Sequence, residues 1–171
     1  MTSSISTQFV AVCAIAFWPT SSFPHIVLES KSATAGSTFK AVFQVGHGCN
    51  GAATTAVAIQ IPPEFQTAKP YPKAGWSISM EANKLVTWTA MSKDAALQNA
   101  HFDEFVLRGK LPDAVGPMWF KVLQTCDGVS NNWADVPATG VSTKGLKSPA
   151  VLLEVLAPTA SGVTMPAEHK H

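Results

Sequence analysis

The residue with the most distinctive chemistry is His25, which directly follows the apolar segment that opens the chain. If export makes it the first residue, its α-amine and imidazole Nδ1 can close a chelate ring on one metal ion. Amine and imidazole nitrogens suit Cu(II), which prefers tetragonal nitrogen and oxygen coordination. The amine must lose its proton to bind, so we expect copper affinity to fall in acid. A merely exposed terminal histidine is the alternative interpretation.

Two further residues are candidates for the same site. His47 lies in a Gly-His-Gly-Cys segment, where a histidine can bind metal or simply cap a loop. Trp133 follows soon after Cys126, so a disulfide between Cys126 and Cys49 would bring Trp133 near the loop of His47 and Cys49. The alternative is that Trp133 is a residue of the hydrophobic core. A possible secondary copper site lies in the C-terminal tail, which is otherwise a solvated segment. Its metal-binding groups are Met165, Glu168, His169 and His171.

The cysteine content favours one disulfide. Cys13 lies inside the first apolar run, which leaves Cys49 and Cys126 as an even pair in an exported chain. The alternative is a metal site that uses both thiolates. Neither cysteine has a second cysteine at the short spacing typical of zinc sites, which favours the disulfide.

The first 24 residues resemble a secretory signal peptide. They contain no charged side chain, and the apolar run from Phe9 to Trp18 is followed by a short polar segment. Pro24 would directly precede the cleavage site, where a small residue is expected. The alternatives to a cleaved signal peptide are a buried N-terminal strand and an uncleaved anchor. We expect a periplasmic or secreted protein whose mature chain has no membrane span, because no other apolar stretch is long enough.

Composition and motifs argue against several functions. The chain is 46% hydrophobic and 13% charged, which supports a packed core. A formal net charge of +1 and the lack of a basic stripe argue against nucleic acid, and against an anionic membrane as the main partner. No phosphate-binding glycine loop, HExxH, GxSxG or CxxC motif occurs, so we expect no enzyme. Asp103 and Glu104 are adjacent and point to opposite faces of a strand; we expect Glu104 to pair with Arg108.

Alternation of apolar and polar residues dominates the chain and predicts strands separated by Gly/Pro turns. In the first of them, Phe39, Ala41, Phe43 and Val45 share one face. We predict an all-β, immunoglobulin-like sandwich over residues 25–157, after a signal peptide at 1–24 and before a flexible tail at 158–171. Residues 92–99 are the one candidate for a helical turn. The predicted strands are 37–45, 53–61, 76–80, 84–89, 102–111, 118–125 and 149–157.

An ordered set of motifs resembles a known family. The chain carries, in this order, HIVLE from His25, VGHGC at 45–49, KPYPKAGW at 69–76, RGKLPD at 108–113, QTCDG at 124–128 and then Trp133. Together they resemble the YcnI-like domain, over residues 25 to about 157. This resemblance implies an exported immunoglobulin- or cupredoxin-like sandwich that holds Cu(II) through an N-terminal histidine brace.

The resemblance also implies roles for single residues. His25 would supply the amine and imidazole, and Trp133 would lie close to the copper. Some members add a glutamate ligand where this chain has Cys49, so we expect His47 to complete the site, with Asp135 or water as alternatives. The implied function is copper trafficking or homeostasis, with a copper chaperone or a membrane copper transporter as partner. The alternatives are a metal-free immunoglobulin-like interaction module and a copper oxidase with a histidine brace.

Overall fold

Strands make up most of the regular structure, in a computed structural model that describes residues 26–159. They form two sheets. The first has the order β1-β3-β8-β5, and the second has the order β2-β11-β9-β4-β7-β6, with β10 also paired to β9. The strands are β1 Val27–Leu28, β2 Ser32–Thr34, β3 Thr38–Val45, β4 Thr54–Gln60, β5 Gln66–Pro70, β6 Trp76–Met80, β7 Leu85–Ala90, β8 Asp103–Lys110, β9 Gly116–Cys126, β10 Val129–Trp133 and β11 Val151–Leu156.

The core lies between the two sheets, where alternate residues of each strand point inward. In β3, Ala41, Phe43 and Val45 are buried, as the alternation predicts. Aromatic rings join the layers edge to face: Phe43 on β3 meets Phe120 on β9 with ring centroids 5.2 Å apart. Such contacts add to the free energy gained from apolar burial. The prediction of an all-β, immunoglobulin-like sandwich is confirmed.

The predicted strands correspond to β3, β4, β6, β7, β8, β9 and β11, with bounds that agree within two residues. The four other strands were not predicted. Residues 92–99 form turns and no helix. The predicted pair of Glu104 with Arg108 is wrong, because residues four apart on an extended strand are about 13 Å apart. Glu104 instead accepts a hydrogen bond of 3.3 Å from Gln44 Nε2.

Several expectations concern residues outside the described range. They are the signal peptide at 1–24, the brace residue His25, and the tail residues His169 and His171. Among residues 26–159, no helix is long and apolar enough to cross a membrane.

One feature of the topology positions the candidate site. Strand β1 is antiparallel to β3, with Val27 opposite Gln44. The N-terminal end of β1 therefore lies beside the C-terminal end of β3, where the chain leaves the sheet at Val45 and enters the loop that carries His47.

Candidate metal centre

The structure brings His47 and Trp133 together at one end of the sandwich. They line the same cavity, which has a volume of about 310 Å³. His47 is half-buried in the loop after β3, and Trp133 closes the end of β10 with 4% of its surface exposed. The cavity is further lined by Gly48, Asn50, Gly51, Asn99 and Asn131. Apart from His47, no described lining residue has an ionisable side chain, so backbone and amide dipoles supply most of the remaining polarity.

A tight turn fixes the loop that carries His47. Asn50 and Gly51 have φ angles of 49° and 85°, and the Ala52 N–H donates to the Cys49 carbonyl at 2.9 Å. Two consecutive left-handed residues form a turn of type I′, for which Asn-Gly is the preferred pair. Gly48 is required for the close approach of this turn, because a Cβ there would lie 1.6 Å from the Ala52 carbonyl oxygen.

Two side-chain amides hold the backbone beside His47, the buried Gln124 and the exposed Asn99. Gln124 on β9 is 1% exposed, and its Nε2 donates to the His47 carbonyl at 2.9 Å and to Thr54 Oγ1 at 2.8 Å. On the other side, the Gly48 N–H donates to Asn99 Oδ1 at 3.1 Å. Buried polar groups are costly unless they are hydrogen-bonded, so these bonds specify one position of the loop.

The disulfide lies directly behind the loop. Cys49 and Cys126 are bonded, with a Cα–Cα distance of 5.8 Å, and both are buried. The predicted disulfide is confirmed, and the alternative of a metal site with two thiolates is excluded. The position at which the family resemblance implied a glutamate ligand in some members is therefore occupied by a sulfur that is already covalently bonded.

The ring of His47 is oriented by its own loop. Nδ1 contacts the Gly48 carbonyl, which can only accept, and the tautomer with the proton on Nδ1 makes this contact a hydrogen bond. In that tautomer Nε2 is the nitrogen suited to metal coordination, as in many metal-binding histidines whose other nitrogen donates to a backbone carbonyl.

The described residues supply only part of a metal site. Within 26–159 no group of three or more His, Cys, Asp or Glu side chains could hold a metal ion. Asp135, the alternative ligand, does not line the cavity; its carboxylate accepts from the Ser148 N–H at 2.9 Å. His47 and Trp133 therefore fit a copper ion only if residues outside this range complete the coordination, as the brace at His25 would.

Sequence reasoning missed Gln124, Asn99 and Asn131 at this site. The sequence pattern could have identified Gln124. It follows Met118, Phe120 and Val122 on the inward face of β9, so it is a polar residue at a position where the alternation predicts an apolar one. Asn99 and Asn131 had no comparable signal, because they lie in a loop and on a short strand in a polar segment.

Comparison with known proteins agrees with this architecture. A protein-family model, "Domain of unknown function (DUF1775)", matches residues 25–87 and 80–155. An uncharacterized protein from Nocardia farcinica with an immunoglobulin-like fold is 28% identical, with a TM-score of 0.65, and the match covers 78% of this chain and 99% of that chain.

More distant likeness is limited to general shape. The seventh ScaB type I cohesin from Pseudobacteroides cellulosolvens is 14% identical, with a TM-score of 0.46, over 86% of this chain and 97% of that chain. No curated protein sequence matches the chain significantly. The family match spans nearly all of the described sandwich, and it is the family that the ordered motifs indicated. This chain is an immunoglobulin-like member of the DUF1775 family.

Proposed function

We propose that this protein is exported, is cleaved before His25, and binds one Cu(II) ion per chain as cargo rather than as an enzyme cofactor. The observation that carries the proposal is the shared cavity of His47 and Trp133 at the end of the sandwich where β1 begins. In this proposal the His25 amine, the His25 imidazole and His47 Nε2 are the nitrogen ligands.

The register of β1 supports the contribution of the first residue. Val27 is opposite Gln44 in an antiparallel pair. The residues that precede Val27 therefore lie nearer to Val45 and to the loop of His47. Ile26 is already buried at this end. In the proposal, a mature chain that begins at His25, the residue before Ile26, thus starts at the end of the sandwich where the loop after β3 carries His47.

The surroundings of His47 support a ligand role over a simple loop cap. The Gly48 carbonyl orients the ring, Gln124 holds the His47 backbone, and the disulfide restrains the next residue. A ligand held in this way loses little conformational freedom on binding, which raises affinity. A loop cap accounts for the first of these contacts only.

Trp133 gives the cavity an apolar wall. Trp133 belongs to the buried core and lines the cavity together with the polar amides of Asn50, Asn99 and Asn131. In the proposal this wall limits water access to the bound ion, and the environment around a metal controls its redox potential. Redox turnover of a substrate is not part of the proposal. A site at one end of the sandwich fits storage, uptake or transfer of copper. The proposed partner is a copper chaperone or a membrane copper transporter.

Isothermal titration with Cu(II) tests the proposal on a chain that begins at His25. We expect one tight site, lost on N-terminal acetylation, which removes the amine donor. His47→Ala should weaken binding by at least about tenfold, which corresponds to about 1.4 kcal/mol. The matched control is His101→Ala, since His101 is exposed and does not line the cavity.

The same titration has clear contradicting outcomes. Equal affinity for the native and acetylated chains would exclude the brace. Equal loss for His47→Ala and His101→Ala would exclude His47 as a ligand. A native chain that binds no Cu(II) would favour the metal-free interaction module, and turnover of a polysaccharide with peroxide would favour the copper oxidase.

A further inference from the structure

A cluster of basic side chains lies on the outward face of the four-stranded sheet, away from His47. Lys40 on β3 is opposite Arg108 on β8, and Arg108 is opposite Lys69 on β5. Lys110 follows on the same face of β8, and all four side chains are exposed. The sequence shows no basic stripe because these residues are far apart along the chain. The sheet register assembles them into one surface, which we name the basic groove.

In the described part of the chain, the cations of the basic groove have no carboxylate partner. Within residues 26–159, the one ion pair closer than 4.0 Å is Lys73–Asp103. Like charges directly opposite each other on neighbouring strands destabilise a sheet. The Lys40–Arg108–Lys69 row therefore works against the stability of the fold unless an anion neutralises it.

A bulge in β5 turns Lys69 toward this face. Gln66 is opposite Lys110, and the register shifts before Lys69 pairs with Arg108. A regular strand would place Lys69 opposite Leu107, on the core side, because a shift of one residue reverses the face. The shift includes Thr67, which has a φ of 49°. This conformation is strained for a β-branched residue, and such strain is often found at functional sites.

The opposite strand is adapted to the same bulge. Gly109 on β8 faces the core, where a Cβ would lie 2.7 Å from the Phe65 ring and 2.9 Å from the Gln66 carbonyl oxygen. Only glycine allows this approach. Both strands thus carry a local feature that maintains the irregular register.

The basic groove is concave. A cavity of about 490 Å³ is lined by Lys69, Arg108 and Lys110, together with the Pro70–Pro72 segment. Tyr71 forms part of its wall, and Lys40 Nζ lies 5.8 Å from the centre of the Tyr71 ring. This contact draws the Lys40 ammonium toward the groove.

We infer that the basic groove binds a compact polyanion of the phosphate class. Neighbouring strands are about 4.8 Å apart, so three opposed side chains can converge on a group of one or two phosphates. The Arg108 guanidinium offers a planar fork for two phosphate oxygens, and the lysines supply point charges.

Charge distribution favours a compact ligand over a bilayer. Glu104 lies on the same outward face, toward the other end of β8. A flat anionic membrane that contacted the cations would also contact Glu104, and the two negative charges would repel each other. A small polyanion in the groove contacts the basic end alone.

Titration calorimetry with sodium pyrophosphate, in metal-free buffer of low ionic strength, tests this inference on the chain that begins at His25. We expect one saturable site that is weakened by at least about tenfold in Lys69→Gln/Arg108→Gln, about 1.4 kcal/mol. Affinity should also fall steeply as salt screens the charges. The matched control is Lys121→Gln/Lys147→Gln, which removes the same charge elsewhere and should change affinity by less than about twofold.

A thermal shift assay keeps the inference testable if the variants differ in stability. Pyrophosphate should raise the melting temperature of the native and control chains and leave that of the groove variant unchanged. Lack of saturable binding, equal loss in the control, or equal affinity for citrate would overturn the inference. Binding to anionic lipid vesicles without binding of pyrophosphate would overturn it in favour of a membrane. Copper is absent throughout, so the outcome is independent of the proposed metal site.

Discussion

Replacement of Gln124 by leucine removes the side chain that ties β9 to the His47 loop. Leucine fits the apolar surroundings, but the His47 carbonyl and Thr54 Oγ1 lose their bonds of 2.9 and 2.8 Å. Each bond contributes about 1 kcal/mol, and a buried acceptor left unsatisfied adds about 1–3 kcal/mol. We expect Gln124→Leu to lower the free energy of unfolding by about 3 kcal/mol.

Urea denaturation at neutral pH measures this change, with Gln60→Leu as the matched control. Gln60 is on the neighbouring strand β4 and also donates from Nε2 to a backbone carbonyl, that of Asn83 at 2.7 Å, but this bond is exposed. Water can replace the exposed bond, so the control should lose less than about 1 kcal/mol. The melting temperature should fall by about 10 °C for Gln124→Leu.

Copper binding provides the second readout for this variant. We expect weaker Cu(II) binding by Gln124→Leu and unchanged binding by Gln60→Leu, because only Gln124 holds the His47 backbone. Equal stability losses in the two variants would refute the assignment of Gln124 as the support of the loop.

Three further predictions concern the same end of the sandwich. Gly48→Ala should destabilise the fold by about 3 kcal/mol in urea denaturation, because its Cβ would collide with Ala52. Gly46→Ala is the control and should have little effect, because among residues 26–159 its Cβ would meet Phe102 alone, at an ordinary contact distance of 3.8 Å. Similar losses in the two variants would contradict this prediction. Replacement of both Cys49 and Cys126 by alanine should cost about 4 kcal/mol, since the bond closes a loop with a separation of 77 residues; an unchanged urea midpoint would contradict it. Cu(II) affinity should fall between pH 7 and pH 5, as protons compete for the amine and imidazole ligands; a titration that gives constant affinity over this range would exclude nitrogen ligands of this kind.

The long strands could be predicted from the sequence because their alternation reports directly which face is buried. β3 and β4 show this most clearly, because Phe43 and Ile59 on their apolar faces are fully buried. β1 and β2 escaped prediction because two or three residues are too few to show a period. β5 escaped because its bulge interrupts the alternation between Gln66 and Lys69.

The candidate site could be predicted only in part. His47 and Trp133 stand out by residue type and by resemblance to the family, and the structure places them in one cavity. The hydrogen bonds of Gln124 and Asn99 depend on which loops meet at that end of the sandwich, which local sequence does not specify. The basic groove has the same origin: its cations meet through pairing of β3, β8 and β5, whose residues are distant in the sequence.

Electron paramagnetic resonance of the Cu(II)-loaded chain that begins at His25 tests the central claim most directly. We predict one axial Cu(II) species with couplings to three nitrogen ligands: the His25 amine, the His25 imidazole and the His47 imidazole. His47→Ala should leave two of these nitrogens, while His101→Ala should leave the spectrum unchanged. A spectrum of hydrated copper, or identical spectra for the native chain and His47→Ala, would contradict the proposed copper site.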